Sequence, residues 1–301
     1  MVKIDIIGAP TAFGQPKLGV SLGPDAVRLC GLEKHLSDLG HDVADKGNVY
    51  GNYRAEYGNH SVRNSEGLMN FEQVKDFSEH LADSVEMSLT NNRFPFIVGG
   101  DHSLSIGSIS GVTKKCKNLG VLWIDAHGDI NNSETSPSGN IHGMPLGVLL
   151  GEGSKSLVDI HHEGAKLSHE NIVLIGVRDL DIGEKAYIKE HGIKCYTMSD
   201  VRRLGLDVVI TKSLKHLQDC DGIHLSLDVD SLDPLEIQGT GTRVSGGMFL
   251  SEMLLGLNIL SKTELLISAD LVEVNPLLDN GSETSEKAVK IAEYIFGQSQ
   301  I

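Results

Sequence analysis

The chain has 301 residues, with 26 lysines and arginines against 41 aspartates and glutamates, a formal net charge of -15. That sign repels phosphate backbones and anionic headgroups, which excludes nucleic acid and membrane surfaces as partners and leaves cationic small molecules admissible. The length permits a sizeable core, and no Pro/Ser-rich linker, repeat or low-complexity stretch divides it, so residues 1–301 are expected to form one domain.

In chain order, "KIDIIGA" reads as a buried strand, and the "MVKIDIIGAPTAFG" that contains it is too short in apolar residues for a signal peptide. A helix is expected over "DAVRLCGLEKHLSDLG", then a weaker strand near "HDVADKG" and a long polar loop over residues 50–67. Next come a helix at "FEQVKDFSEHLADSVEMSL", a strand at "FPFIVGG", a helix at "SLSIGSISGVTKKC" and a strand at "LGVLWIDAH". The second half offers strands "NIVLIGV", "IKCYTM", "GIHLSLDVD" and "ELLISADLVEVN", and closes on the helix "SETSEKAVKIAEYIF". Apolar runs without polar alternation, separated by helices, imply strands covered on both faces. The predicted class is α/β, a three-layer α/β/α sandwich around a mainly parallel sheet of about eight strands.

In such sheets, sites form beyond the carboxyl ends of the strands. After "FPFIVGG", the sequence "DHS" puts His102 past a glycine pair; by itself this could be a turn with Ser103 capping a helix. After "LGVLW", Asp125, His127 and Asp129 fall on alternate positions, which share one face in extended backbone. After "GIHLSL", Asp228 and Asp230 repeat the spacing, though Asp233 and Pro234 would also suit a plain turn. His224 lies deeper on that strand and reads as a hydrogen-bonded core histidine. For His161 and His162 the sequence suggests no partner. Cys30, Cys116, Cys195 and Cys220 form no CxxC pair and read as small hydrophobes in a reducing, cytoplasmic protein.

Taken together, three strand ends deliver four carboxylates and two imidazoles. Packed side by side, the carboxylates would raise one another's pKa values unless cations neutralised them, and two divalent ions would balance the charge. Hard oxygens with two imidazoles and no thiolate suit Mn²⁺, while imidazole also tolerates Zn, Co or Ni. A pair of ions about 3.5 to 4 Å apart can hold a water between them and convert it to hydroxide near neutral pH.

The motifs "GGDHS", "DAHGDIN", "SGNIHGMP", "SLDVDSLDP" and "LVEVNP", in this order, resemble the arginase branch of the ureohydrolase family. Flanking matches run from "IGAPTAFGQPKLGVSLGP" through "GVRDLDIGE" and "TGTRVSGG" to the final helix, so the resemblance covers essentially the whole chain as one catalytic domain. It implies two Mn²⁺ per subunit, with Co²⁺ or Ni²⁺ as substitutes. His102, Asp125, Asp129 and Asp228 would hold one ion or bridge the pair, and His127 and Asp230 would complete the other side. The implied reaction is hydrolysis of L-arginine to L-ornithine and urea. A guanidinium carbon is a poor electrophile, so attack needs hydroxide generated in place.

The resemblance further implies that Glu273 pairs with the guanidinium, that Asp129 takes the attacking water's proton and that His142 shuttles protons to the departing amine or holds the substrate. Asn131, Ser136 and Ser138 would face the α-carboxylate, Asp181 the α-ammonium, and Thr242 the substrate side. A homo-oligomer, trimer or hexamer, is implied as well. Two departures stand out: Arg243 where the family very often has proline, and "LGV" at Leu18 to Val20 where "GGV" is common. Arg243 is expected to point away from a cationic substrate. The competing readings are another ureohydrolase, acting on agmatine or a guanidino acid, and a catalytically silent metal-binding relative.

Overall fold

The computed structural model describes residues 1–53 and 62–299. Eight strands, β1 (Lys3–Ala9), β2 (Asp42–Asn48), β3 (Phe94–Gly99), β4 (Leu119–Ile124), β5 (Ile172–Val177), β6 (Lys194–Thr197), β7 (Gly222–Asp228) and β8 (Leu266–Val272), form one sheet. Its order is β2-β1-β3-β8-β7-β4-β5-β6, and every pairing is parallel. Strands β3, β4, β5 and β7 are buried along their whole length, which is why they read as unbroken apolar runs.

Among the described residues, eleven α-helices cover the two faces. They are α1 (Gly23–Leu29), α2 (Leu32–Asp38), α3 (Phe71–Thr90), α4 (Ser105–Thr113), α5 (Pro145–Leu149), α6 (Lys155–Val158), α7 (Ile182–Glu190), α8 (Met198–Leu204), α9 (Leu206–His216), α10 (Leu250–Leu260) and α11 (Glu283–Ile295). Val27, Leu36, Val201, Ile210, Leu257 and Ile291 carry α1, α2, α8, α9, α10 and α11 onto one face of the sheet. Phe77, Leu81, Ile109 and Leu149 pack α3, α4 and α5 onto the other, around the fully buried Trp123. The three-layer sandwich expected from the sequence is the architecture found, with the sheet parallel throughout.

Several local expectations change. The helix anticipated across residues 25–40 breaks into α1 and α2 because Gly31 sits at φ 86, outside helical backbone. The 3-10 turn His102–Leu104 that leads from "FPFIVGG" into α4 is capped by the Asp101 side chain, which accepts from the Ser103 amide, and α4 begins after Leu104 without a side-chain cap, so Ser103 is not the cap. Among the helices that escaped notice, α9 was masked by the β-branched "DVVIT", although its buried Leu206, Val209, Ile210 and Ser213 follow helical spacing, and α10 by "MLLGLNIL", apolar nearly all round. The loop expected over residues 50–67 falls partly outside the described residues; within them, Arg63 makes an isolated antiparallel bridge to Met69.

His224 is the buried core histidine expected, bonded through Nδ1 to Ser268 Oγ at 2.8 Å. His161 and His162 do have partners, Glu86 at 2.8 Å and Thr113 at 3.0 Å, contributed by distant helices that sequence spacing does not disclose. All four cysteines are free thiols; Cys116 and Cys220 are buried, whereas Cys30 and Cys195 are only partly so.

Candidate active site

The four central strands, β3, β8, β7 and β4, end side by side, and the predicted ligand residues leave the sheet there. Gly100 lets β3 turn sharply: a Cβ at this position would lie 2.3 Å from the Ala9 carbonyl oxygen. The chain then passes through Asp101 to His102, whose ring stacks on Trp123 at 4.2 Å between centroids and 4° between planes. His102 Nε2 lies 2.9 Å from Ser226 Oγ. Its Nδ1 faces Asp125 at 3.1 Å, Asp129 at 3.0 Å and Asp228 at 3.2 Å.

His127 is placed the same way, with Nδ1 3.3 Å from Asp125 and 3.2 Å from Asp230. All six predicted ligand residues therefore meet, but not by the route the sequence suggested. Strand β4 stops at Ile124, and the His127 amide then folds back on Asp125 Oδ1 at 2.8 Å. Asp129 reaches the cluster only in left-handed backbone, φ 51. Likewise β7 stops at Asp228, and the Asp230 amide caps back onto Asp228 Oδ1 at 2.7 Å in a tight turn over Val229–Ser231. Alternating extended faces did not bring these groups together; self-capped turns did.

Burial drives the carboxyls of Asp129, Asp228 and Asp230 above their usual range, Asp230 to about 6, and the neighbouring carboxylates add to the effect. Asp125 moves the other way: burial opposes its ionisation, but hydrogen bonds from both imidazoles hold it low. The imidazoles are pushed down by burial, yet the carboxylates that surround them raise both pKa values. Among the described residues, the ion-pair partners of the four aspartates are His102 and His127 alone. Arg178 approaches but donates to the backbone carbonyls of Asp230, Ser231, Leu232 and Val244.

Two imidazole nitrogens, His102 Nδ1 and His127 Nε2, are buried without an aligned hydrogen bond. The triples His102–Asp125–Asp129 and Asp125–His127–Asp230 each converge closely enough to share one cation. His102 Nδ1, orphaned and ringed by three aspartates, and His127 Nδ1, set between Asp125 and Asp230, offer lone pairs among anionic oxygens that a divalent ion satisfies, so the donor set fits the metals expected from the sequence.

Above the cluster opens a cavity of about 150 Å³ lined by Asn131, Ser136, Ser138, Asp181, Thr242 and Glu273, among others. Glu273 also lies in left-handed backbone, φ 65. Its Oε1 accepts from the His102 amide at 3.0 Å and lies 3.4 Å from His142 Nδ1, and its Oε2 accepts from Gln15 Nε2 at 2.6 Å. Burial favours the neutral acid, but the contact with His142 pulls the carboxyl below its usual range; reciprocally, His142 is depressed by burial and raised by Glu273. Asn131 donates to Asp181 at 3.0 Å and keeps a buried, unpartnered Oδ1. Arg243 is exposed and does not line the cavity.

Sequence reasoning missed three residues here. Asp179 and Glu184 line the cavity, and Gln15 grips Glu273. Glu184 had a readable signal, an acid three residues after a helix-capping aspartate; its carboxylate accepts from the Asp181 amide at 2.8 Å. Burial lifts its pKa to about 7. No local pattern marks Gln15, whose partner lies 258 residues away.

A three-layer α/β scaffold with an acid–imidazole cluster at the carboxyl edge of its central strands defines a class of enzymes, and comparisons narrow it. The Arginase family model matches residues 2–297. An arginase of Staphylococcus aureus (strain MSSA476) is 50% identical over 300 residues, covering 98% of this chain and 97% of that one. The Bacillus caldovelox arginase structure superposes with a TM-score of 0.95 at 44% identity, covering 100% of both chains. An Entamoeba histolytica arginase solved in complex with L-ornithine gives 0.89 at 34%, covering 98% and 99%. The chain belongs to the arginase family and is a hydrolytic enzyme of that kind.

Proposed function

We propose that this protein hydrolyses L-arginine to L-ornithine and urea, using two manganese ions held by His102, Asp125, Asp129 and Asp228 on one side and His127 and Asp230 on the other, with aspartates shared between them. The observation that carries the reading is the buried excess of four carboxylates whose ion-pair partners, among the described residues, are two imidazoles, with His102 Nδ1 orphaned between three of the carboxylates. Divalent ions bound there would supply Lewis acidity, making a hydroxide nucleophile available near neutral pH. Co²⁺ and Ni²⁺ suit the same donors.

The remaining work falls to the chain. Glu273, kept ionised by His142, offers its carboxylate to the guanidinium and orients the carbon toward the acid cluster. Asp129, which lines the cavity, takes the proton of the attacking water. His142, whose proton affinity is strengthened by Glu273, gives a proton to the departing ornithine amine. Asn131, Ser136 and Ser138 face the α-carboxylate and Asp181 the α-ammonium; the ornithine held by the Entamoeba relative has both groups. Agmatine lacks the carboxylate and leaves that end of the cavity unmet. We further propose that residues 1–301 act as one catalytic domain, in the cytoplasm and as a homo-oligomer; the four free thiols favour that compartment.

The test is urea release by the manganese-loaded protein from arginine and, separately, from agmatine. Urea from arginine with little from agmatine is expected. Urea from agmatine alone overturns the substrate assignment, and one tightly bound ion per chain overturns the paired-metal assignment.

A further inference from the structure

The face of β7 that ends in Asp228 continues down into the core as Ser226 and His224. Strand β8 sets Ser268 opposite His224 and Asp270 opposite Ser226. All four of these lower residues have no exposed surface, an unusual place for a carboxylate. Helix α4 adds two hydroxyls from one of its faces: Ser105 and Ser108 donate to Asp270 Oδ2 at 2.8 and 2.7 Å. His224 Nε2 lies 3.2 Å from the same oxygen without an aligned hydrogen bond, and Asp270 Oδ1 is buried with no hydrogen-bond partner among the described residues. The ladder then climbs toward the site. Ser105 Oγ is 3.4 Å from Ser226 Oγ, and Ser226 Oγ is 2.9 Å from His102 Nε2.

The direction of these hydrogen bonds follows from the chemistry of the lowest member. A carboxylate only accepts, so Ser105 must spend its one hydrogen on Asp270 and turn a lone pair toward Ser226. Ser226 then points its hydrogen at Ser105 and its lone pair at His102, so His102 Nε2 carries the N–H. That leaves Nδ1, the nitrogen facing three aspartates, as the bare donor. Without an anion at the bottom, each hydroxyl could rotate, Ser226 could donate to Nε2, and a proton on Nδ1 would block the position a metal needs.

We propose that Asp270, held by the Ser105 and Ser108 hydroxyls, is a positioning residue that sets the hydrogen-bond direction through Ser105 and Ser226, so that His102 presents Nδ1 to a metal ion. This rests on the metal reading given above. Its burial costs free energy that an aliphatic side chain would avoid, and the orientation imposed on His102 is what the ladder gains in return.

The experiment titrates Mn²⁺ into metal-free wild type, His102→Ala, Asp270→Asn and Ser105→Ala, following free Mn²⁺ by its paramagnetic resonance signal, with thermal unfolding of each metal-free form. No binding by the wild type sinks the metal reading itself. Given wild-type binding, the step that His102→Ala removes identifies the ion on the His102 side. Asp270→Asn is expected to weaken that step by about 10- to 100-fold, Ser105→Ala to weaken it less, and both to leave the other step unchanged. Wild-type affinity in both variants overturns the proposal, as does an equal loss at both steps, which is the mark of general structural damage. Should Asp270→Asn fail to fold, Ser105→Ala decides by the same criterion.

Discussion

Two of the regions where aspartates are buried in this molecule treat them in opposite ways. At the amino end of the sheet, Asp5 on β1 is 1% exposed, and its charge is answered by Arg93 Nε at 2.5 Å, Lys46 at 3.4 Å and the Ser88 hydroxyl at 2.8 Å. At the carboxyl end, Asp125, Asp129, Asp228 and Asp230 are comparably buried, yet their ion-pair partners among the described residues are two imidazoles, while the nearby Arg178 is committed to backbone carbonyls. The first region closes its charge balance with the chain's own cations. The second leaves a negative excess, and such an excess inside a folded protein marks where an external cation is expected.

Substitutions can break or sharpen this contrast. The largest effect is expected from Asp228→Ala, which removes a carboxylate from the unbalanced cluster: urea production should fall by about 10³-fold or more, since Lewis-acid assistance is worth several kcal/mol and each 1.36 kcal/mol is tenfold. Steady-state kinetics at saturating Mn²⁺ provide the check, and retained turnover would refute the assignment. Glu273→Gln keeps the shape but discards the charge offered to the guanidinium. A hydrogen bond to a charged group is worth about 1.5–3 kcal/mol, so kcat/KM should drop by about 10- to 100-fold with metal content intact.

Asp5→Asn tests the balanced region. It should lower stability by about 1–2 kcal/mol, a shift of a few degrees in Tm for a chain of this size, without altering Mn²⁺ affinity or kcat. A loss of metal binding in this variant would mean that the two regions are not independent. The smallest effect is expected from Ser138→Ala, at the cavity mouth. Losing one neutral donor should cost arginine about 0.5–1.5 kcal/mol and agmatine nothing, narrowing the preference between them in paired kcat/KM measurements.

The sequence displayed the sheet well because its strands are buried on both faces and read as uninterrupted apolar runs, Leu119–Ile124 and Ile172–Val177 above all. It displayed the acid–imidazole cluster through the spacing of Asp125, His127 and Asp129, but suggested the wrong geometric reason. The backbone that unites them depends on capping bonds and on a left-handed Asp129, neither of which alternation can foretell. Positive φ at both Asp129 and Glu273 places strained backbone at two residues assigned roles in the reaction. What stayed hidden was whatever depends on distant partners. Gln15 against Glu273 and Ser105 against Asp270 are brought together by the fold alone, and Glu184 only by its relation to a helix cap.

The order β2-β1-β3-β8-β7-β4-β5-β6 has a consequence for how such a chain leaves the ribosome. The halves β2-β1-β3 and β4-β5-β6 are both synthesised before the strands that join them, so each waits with an open inner edge until Gly222–Asp228 and Leu266–Val272 emerge. Nascent or truncated chains that stop short of Val272 expose two sticky seams and lack Glu273, so premature termination would yield aggregation-prone fragments in place of a weakened enzyme.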